Sequence, residues 1–157
     1  VDISIAYATA ENLTRVPVYA RAGCYLHTDA AAALTEAVRL AGAMGYRFRV
    51  FDAFRPTEAQ WALWNHTPDP DFLADPRRGS PHSRGIAVDL TLIDETGTAL
   101  DMGTAFDAFT PLSHHGNTEI GTTPQRYRHL LTGIHPTTAT KFYVNEWWLS
   151  STHHGRR

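Results

Sequence analysis

Gly79-Ser80-Pro81-His82-Ser83-Arg84-Gly85-Ile86-Ala87-Val88-Asp89-Leu90-Thr91-Leu92 decides the fold, because it sets a histidine and a carboxylate at the mouth of a buried strand. From Gly85 onward the residues alternate. Ile86, Val88, Leu90 and Leu92 face one way and Ala87, Asp89 and Thr91 the other, since successive strand side chains point to opposite faces. One face belongs to the core and the other carries Asp89. A carboxylate among such neighbours is costly to desolvate without a partner, and a divalent metal shared with His82 is an efficient one. A metal site is the first hypothesis, beside the plainer reading that His82 and Asp89 form an ordinary hydrogen-bonded pair.

Outward from this strand, Phe48, Val50 and Asp52 predict another, stopped by Pro56 before a short helix over residues 57–65. Upstream, Thr28 or Asp29 can cap a helix that runs to about Met44, where Gly45 ends it; Ala33, Leu34, Ala37, Val38 and Ala41 recur at helical spacing. Val1–Tyr7 alternates like a strand. Residues 67–79, with three prolines and three aspartates, form a loop that delivers the chain to the opening motif. Downstream, Asp94–Gly97 is a turn and Ala99–Met102 a hairpin partner. Residues 103–121 are irregular. Thr123-Pro124 opens a helix, with Pro at its first position, lined by Tyr127, Leu130, Leu131 and Ile134 and closed at His135-Pro136. Phe142–Leu149 reads as an aromatic strand. The expected architecture is a single α+β domain over residues 1–149, with a central, mainly antiparallel sheet flanked by helices, and a polar tail at 150–157.

Composition narrows the function. The chain has 157 residues, enough for one core, and is 43% hydrophobic and 19% charged, which excludes disorder and coiled coil. Fourteen Lys and Arg against sixteen Asp and Glu leave a formal charge of −2, so no basic surface announces nucleic acid or anionic membrane. A small neutral or zwitterionic partner suits this balance. The single Cys24 forms no internal disulfide, and no apolar run approaches a membrane span. The cytoplasm is the expected compartment. An exported form stays open, because the chain starts at Val1 without Met and an upstream segment can have been removed.

Three places carry candidate chemistry. His82 with Asp89 is the first. Phe51-Asp52-Ala53-Phe54-Arg55-Pro56 is the second: Arg55 sits at a strand end and either satisfies local carbonyls or polarises a substrate carbonyl. The third is Asn145-Glu146-Trp147-Trp148-Leu149, where Glu146 is either a solvent-facing residue beside core tryptophans or a general base whose apolar wall raises its pKa.

Together FDAFRP, SPHSRGIAVDLTL, MGTAFD and the late EWW resemble, in order and from about Ile5 to Trp148, the zinc-dependent D-alanyl-D-alanine dipeptidases of the vancomycin-resistance type. Bacterial D,D-carboxypeptidases and the hedgehog signalling domain are relatives of that family. The resemblance implies a hedgehog- and D,D-peptidase-like fold. It implies zinc bound by His82 and Asp89, Arg55 assisting the tetrahedral intermediate, Ser80 and Asp107 holding the dipeptide's amino group, and Glu146 as catalytic base. A carboxylate that recognises a substrate ammonium accounts for a dipeptidase rather than an endopeptidase.

One position departs from the pattern. The family's third zinc ligand is the histidine after E-W-W, and here that residue is Leu149, which cannot ligate zinc. The third ligand is therefore unassigned. His153 or His154 can supply it, with His114, His115 and His135 as further candidates. Alternatively the chain is a weakly active or non-catalytic relative that binds peptide or cell-wall fragments, or its C-terminal end is altered.

Overall fold

The structure, a computed structural model, describes residues 1–134 and 147–151, the last three by backbone alone. Four strands form one sheet in the order β1 (Asp2–Ile3), β2 (Arg47–Asp52), β3 (Ala87–Ile93) and β4 (Leu149–Ser151). β1 runs parallel to β2, whereas β2–β3 and β3–β4 are antiparallel. The mixed, mainly antiparallel sheet and α+β class match the sequence expectation.

β3, rich in β-branched residues and leucine, is buried along its whole length. Val88, Leu90 and Leu92 join Phe48 and Val50 of β2 against Ala37 and Ala41 of α1 (Thr28–Ala43) and against Leu131 and Ile134 of α3 (Thr122–Ile134). Ala37 and Ala41 are fully buried and leave no bulk between helix and sheet. Gly45, at φ 81°, ends α1: its N–H bonds to the Gly42 carbonyl and that of Tyr46 reaches back to Ala41, the six-to-one bond of a Schellman cap.

Several boundaries differ from the expected ones. The N-cap of α1 is His27, whose Nδ1 accepts the Asp29 amide at 3.3 Å, because the helix already includes Thr28 and Asp29. The first strand stops at Ile3: Ile5 and Tyr7 turn inward through a 3-10 turn at Ala6–Ala8, while Val1 and Ile3 stay about half exposed at the sheet edge. The hairpin expected from Ala99 onward is a single bridge, Ala99 to Ile93. α3 starts two residues early, so Pro124 is its third residue, still in the turn whose amides have no helical partner. Its most buried positions are Pro124, Arg128, Leu131 and Ile134, with Tyr127 and Leu130 only partly covered. Of the expected strand at 142–149, residues 142–146 lie outside those described, Trp147 and Trp148 form a turn, and the strand begins at Leu149. His135 also lies outside them. The short helix appears as α2 (Thr57–His66).

One irregularity in the sheet matters most for the site. Arg47 to Val50 pair with Ile93 to Leu90 in regular register, but Asp89 is opposite Asp52 rather than Phe51. Phe51 is thus an extra residue, a β-bulge. Without it Asp52 would follow Phe48 and Val50 toward the helices; with it, Asp52 falls on the same face as Asp89.

Gly85 links the 3-10 turn His82–Arg84 to β3 at φ 67°, and a Cβ there would lie 3.2 Å from the backbone nitrogen of His27. The same His27 N–H donates to the Gly85 carbonyl at 2.8 Å. Gly85→Ala therefore meets both a left-handed backbone and a tight contact, and should lower unfolding stability by about 1–2 kcal/mol in urea titrations. Gly116→Ala, where an added Cβ meets nothing within 4 Å, is the control expected to change little; equal effects would count against this account.

Candidate metal centre and cleft

His82 is aimed by short-range structure. Ser80 Oγ accepts the His82 amide at 3.2 Å, and the His82 carbonyl accepts the amide of Arg55 at 3.1 Å, joining the loop to the end of β2. The ring nitrogen Nδ1 lies 2.7 Å from the carbonyl oxygen of Ala53. A carbonyl only accepts, so Nδ1 carries the proton and Nε2 presents a lone pair. Nε2 faces Asp89 Oδ1 at 3.4 Å. That oxygen is buried and makes no hydrogen bond among the described residues. Two acceptors converging in a buried place call for a shared proton, a water or a cation between them, and an imidazole nitrogen beside a carboxylate oxygen is a donor set that fits a divalent metal.

Asp52, His82 and Asp89 lie close enough together to be considered as a three-residue metal group. The geometry separates their roles. Asp52 lies on the Nδ1 edge of the imidazole, 3.6 Å away, whereas Asp89 lies on the Nε2 edge. Both Asp52 oxygens are already engaged: Oδ1 accepts from Tyr19 Oη at 2.8 Å and Oδ2 from Arg55 Nε at 2.9 Å. Burial pushes the Asp52 carboxyl up from its ordinary value, against the opposing pull of Arg55. Asp52 is better suited to holding Arg55 than to ligating an ion on the far side of the ring.

Arg55 is 4% exposed and fully enclosed by partners. Its Nη1 donates to Gln60 Oε1 at 2.9 Å and its Nη2 to Asp89 Oδ2 at 3.3 Å, while its Cζ stands 4.8 Å from the centre of the Tyr7 ring. Gln60 in turn donates to the Ala74 carbonyl, tying the guanidinium to the loop that walls the cleft. The guanidinium is thus held in one orientation at the wall of the cleft.

Across the cleft sits Asp107, at φ 58°, a left-handed conformation unusual outside glycine. Its Oδ1 accepts from Tyr7 Oη at 2.9 Å and its Oδ2 from the Leu13 amide at 3.0 Å. Burial pushes its pKa up to about 6; the Leu13 amide works against this and the Asp89 charge adds to it. Arg55, Ser80, His82, Asp89 and Asp107 all line one cleft of about 450 Å³, whose apolar walls include Phe72, Phe109 and Trp148.

The five described residues singled out from sequence therefore converge. Glu146, His153 and His154 lie outside the described residues. Leu149 does not: its backbone pairs with Asp89 itself. His114 stacks on Phe72 at 5.0 Å, and His115 Nε2 meets Thr132 Oγ1 at 2.6 Å on α3, so neither joins the metal group. Sequence reasoning passed over Asp52, Tyr7 and Gln60. For Asp52 a signal existed, a carboxylate three residues before Arg55. Tyr7 and Gln60 have none.

A family model described as D-ala-D-ala dipeptidase matches residues 1–154. The chain is 41% identical over 147 residues to the D-alanyl-D-alanine dipeptidase of Escherichia coli, covering 94% of this chain and 76% of that protein. It is 32% identical to the enzymes of that name from Enterococcus faecium and Streptomyces coelicolor, in each case over 90% of this chain and 81% of theirs.

The raised pKa of Asp107 has a consequence for stability. Between 3.8 and about 6 the folded protein holds a proton that the unfolded chain has released. Stability of the metal-free protein should therefore fall as pH rises through this window and level off above it, by on the order of 1 kcal/mol. In chelator-treated samples, Asp107→Asn should flatten that part of the melting-temperature profile; an unchanged slope would show that Asp107 is not the group responsible.

Proposed function

Because the chain belongs to the D-alanyl-D-alanine dipeptidase family, we propose that it is a metallopeptidase that hydrolyses the D-alanyl-D-alanine dipeptide. The observation that carries this reading is the pairing of His82 Nε2 with the orphaned Asp89 Oδ1 in a buried cleft that also holds Arg55 and Asp107.

His82 and Asp89 would hold a zinc ion. When bound, the ion supplies the Lewis acidity that polarises the scissile carbonyl and activates water. The remaining roles fall to side chains. Arg55, locked by Asp52, Gln60 and Asp89, offsets the negative charge that builds on the carbonyl oxygen. Asp107 accepts the substrate ammonium, with Ser80 beside it, and this selects a free amino terminus. Its need to be ionised for that task implies stronger substrate capture as pH rises through about 6. Glu146 takes the proton from water and passes it to the leaving amine; its neighbour Trp148 lines the cleft.

The third metal ligand divides the possibilities. Leu149 occupies the strand position next to Asp89 where the family pattern has histidine. Either His153 or His154 completes the coordination, or the ion is weakly held and the chain binds peptide without efficient turnover.

Elemental analysis for zinc, run with release of D-alanine from D-alanyl-D-alanine, tests this. One equivalent of zinc and turnover in the unaltered chain support the dipeptidase with a ligand from the C-terminal residues. No zinc and no turnover, both recovered in Leu149→His, would refute that completed site and favour the binding protein. Where turnover occurs, Glu146→Gln should lower kcat on the order of 10²–10⁴-fold, and an unaltered kcat would remove Glu146 from the mechanism.

A further inference from the structure

α3 carries an arginine on its buried face. Arg128 is 1% exposed, yet no carboxylate hydrogen-bonds to it among the described residues. Its Nε donates to the carbonyl of Met102 at 2.8 Å and its Nη1 to the carbonyl of His114 at 2.9 Å; Nη2 is buried and makes no hydrogen bond among the described residues. A buried cation without a hydrogen-bonded counter-charge among the described residues is a poor source of stability, even with the Asp101 charge acting on it from a distance, and apolar residues of similar volume often do as well or better. What Arg128 does hold is geometry. Met102 and His114 are the two residues that bracket the loop 103–113, so one guanidinium closes both of its ends.

Asp107 is near the middle of that loop. The neck is tied further by Thr104 Oγ1 to Ser113 Oγ at 3.0 Å, and by Trp147, whose indole N–H donates to Thr104 Oγ1 at 2.8 Å and whose backbone N–H donates to the Ser113 carbonyl at 3.1 Å. A loop whose ends are pinned can hold a left-handed aspartate at its tip, because strain of this kind persists only where the surroundings over-determine it.

We infer that Arg128 is a positioning residue: by closing the ends of the loop 103–113 it sets where the Asp107 carboxylate meets the substrate's ammonium group. This rests on the reading of Asp107 as the ammonium acceptor. Arg128 touches neither substrate nor metal, and its effect should reach substrate capture before chemistry.

The test compares Arg128→Met and Arg128→Lys, each alone and combined with Asp107→Asn, after cooperative melting has confirmed folding. The readouts are kcat and KM for D-alanyl-D-alanine, with calorimetric Kd where turnover is too slow, and hydrogen exchange of the 103–113 amides. Arg128→Met should raise KM or Kd about tenfold with kcat changed much less, and Arg128→Lys, which keeps a donor, should recover part of the loss. In the Asp107→Asn background the Arg128→Met effect should vanish, and exchange should quicken in 103–113 but not in β2 or β3. Equal losses in both backgrounds, or unchanged exchange in the loop, would overturn the inference. Asp107→Asn with the parent's KM would instead refute the ammonium role itself, while loop exchange still reports separately whether Arg128 closes the loop.

Discussion

A buried excess of negative charge governs this structure. Asp52 and Asp89 lie at the joint of β2 and β3, each almost wholly removed from water, with Arg55 as the one fixed cation beside them among the described residues. Two carboxylates against one guanidinium leave a deficit that burial makes costly. Arg55 cannot satisfy everything: it engages one oxygen of each aspartate, Tyr19 takes another, and Asp89 Oδ1 is left facing the lone pair of His82. A divalent ion at that place would meet both the missing charge and the missing donor. The fold around it is a means of holding these groups close despite their repulsion.

The bulge at Phe51 makes that gathering possible. A regular ladder would send Asp52 to the helix face, away from Asp89; one extra residue turns it toward Asp89 and leaves Arg55, three residues on, able to bridge them. The proline after Arg55 then starts α2, which returns Gln60 to the guanidinium. A single irregularity in register thus arranges four polar side chains. Hydrophobic pattern alone carries no trace of it, since FRVFDAF alternates as well with the bulge as without.

This explains what was legible in the chain. The strand from Ala87, the helix from Thr28 and the alternation around Phe48 depend on local periodicity, and they appear within a few residues of where the pattern puts them. His82, Asp89 and Arg55 were visible because polar residues stood where burial was otherwise required. The face that Asp52 takes was hidden by the bulge, although its spacing before Arg55 was visible. Tyr7 was hidden by a pattern that imitated a strand, although its chain turns at Ala6 to bring the phenol to Asp107. Arg128 was hidden because a charged residue on an amphipathic helix is expected to face water, and only the carbonyls of a distant loop make its burial tolerable. At the first strand, contacts between residues tens of positions apart outweighed the local alternation.

The cleft also divides its work between two kinds of support. The groups that would hold the ion and offset the oxyanion sit on β3, at the end of β2 and on the tight turn before Gly85, where backbone pairing leaves little freedom. The carboxylate that would read the substrate's amino terminus sits on a loop, held by Tyr7, by the Leu13 amide and by closure of the loop at its base. Tyr7 joins the halves, with its ring against Arg55 and its hydroxyl on Asp107. A displacement of the loop would move Asp107 relative to Arg55 without disturbing the strands, so on the proposed roles it would change which molecules are captured while His82 and Asp89 stay in place. On the proposed roles, recognition of the substrate's amino terminus is therefore separable from the chemistry carried by the strands.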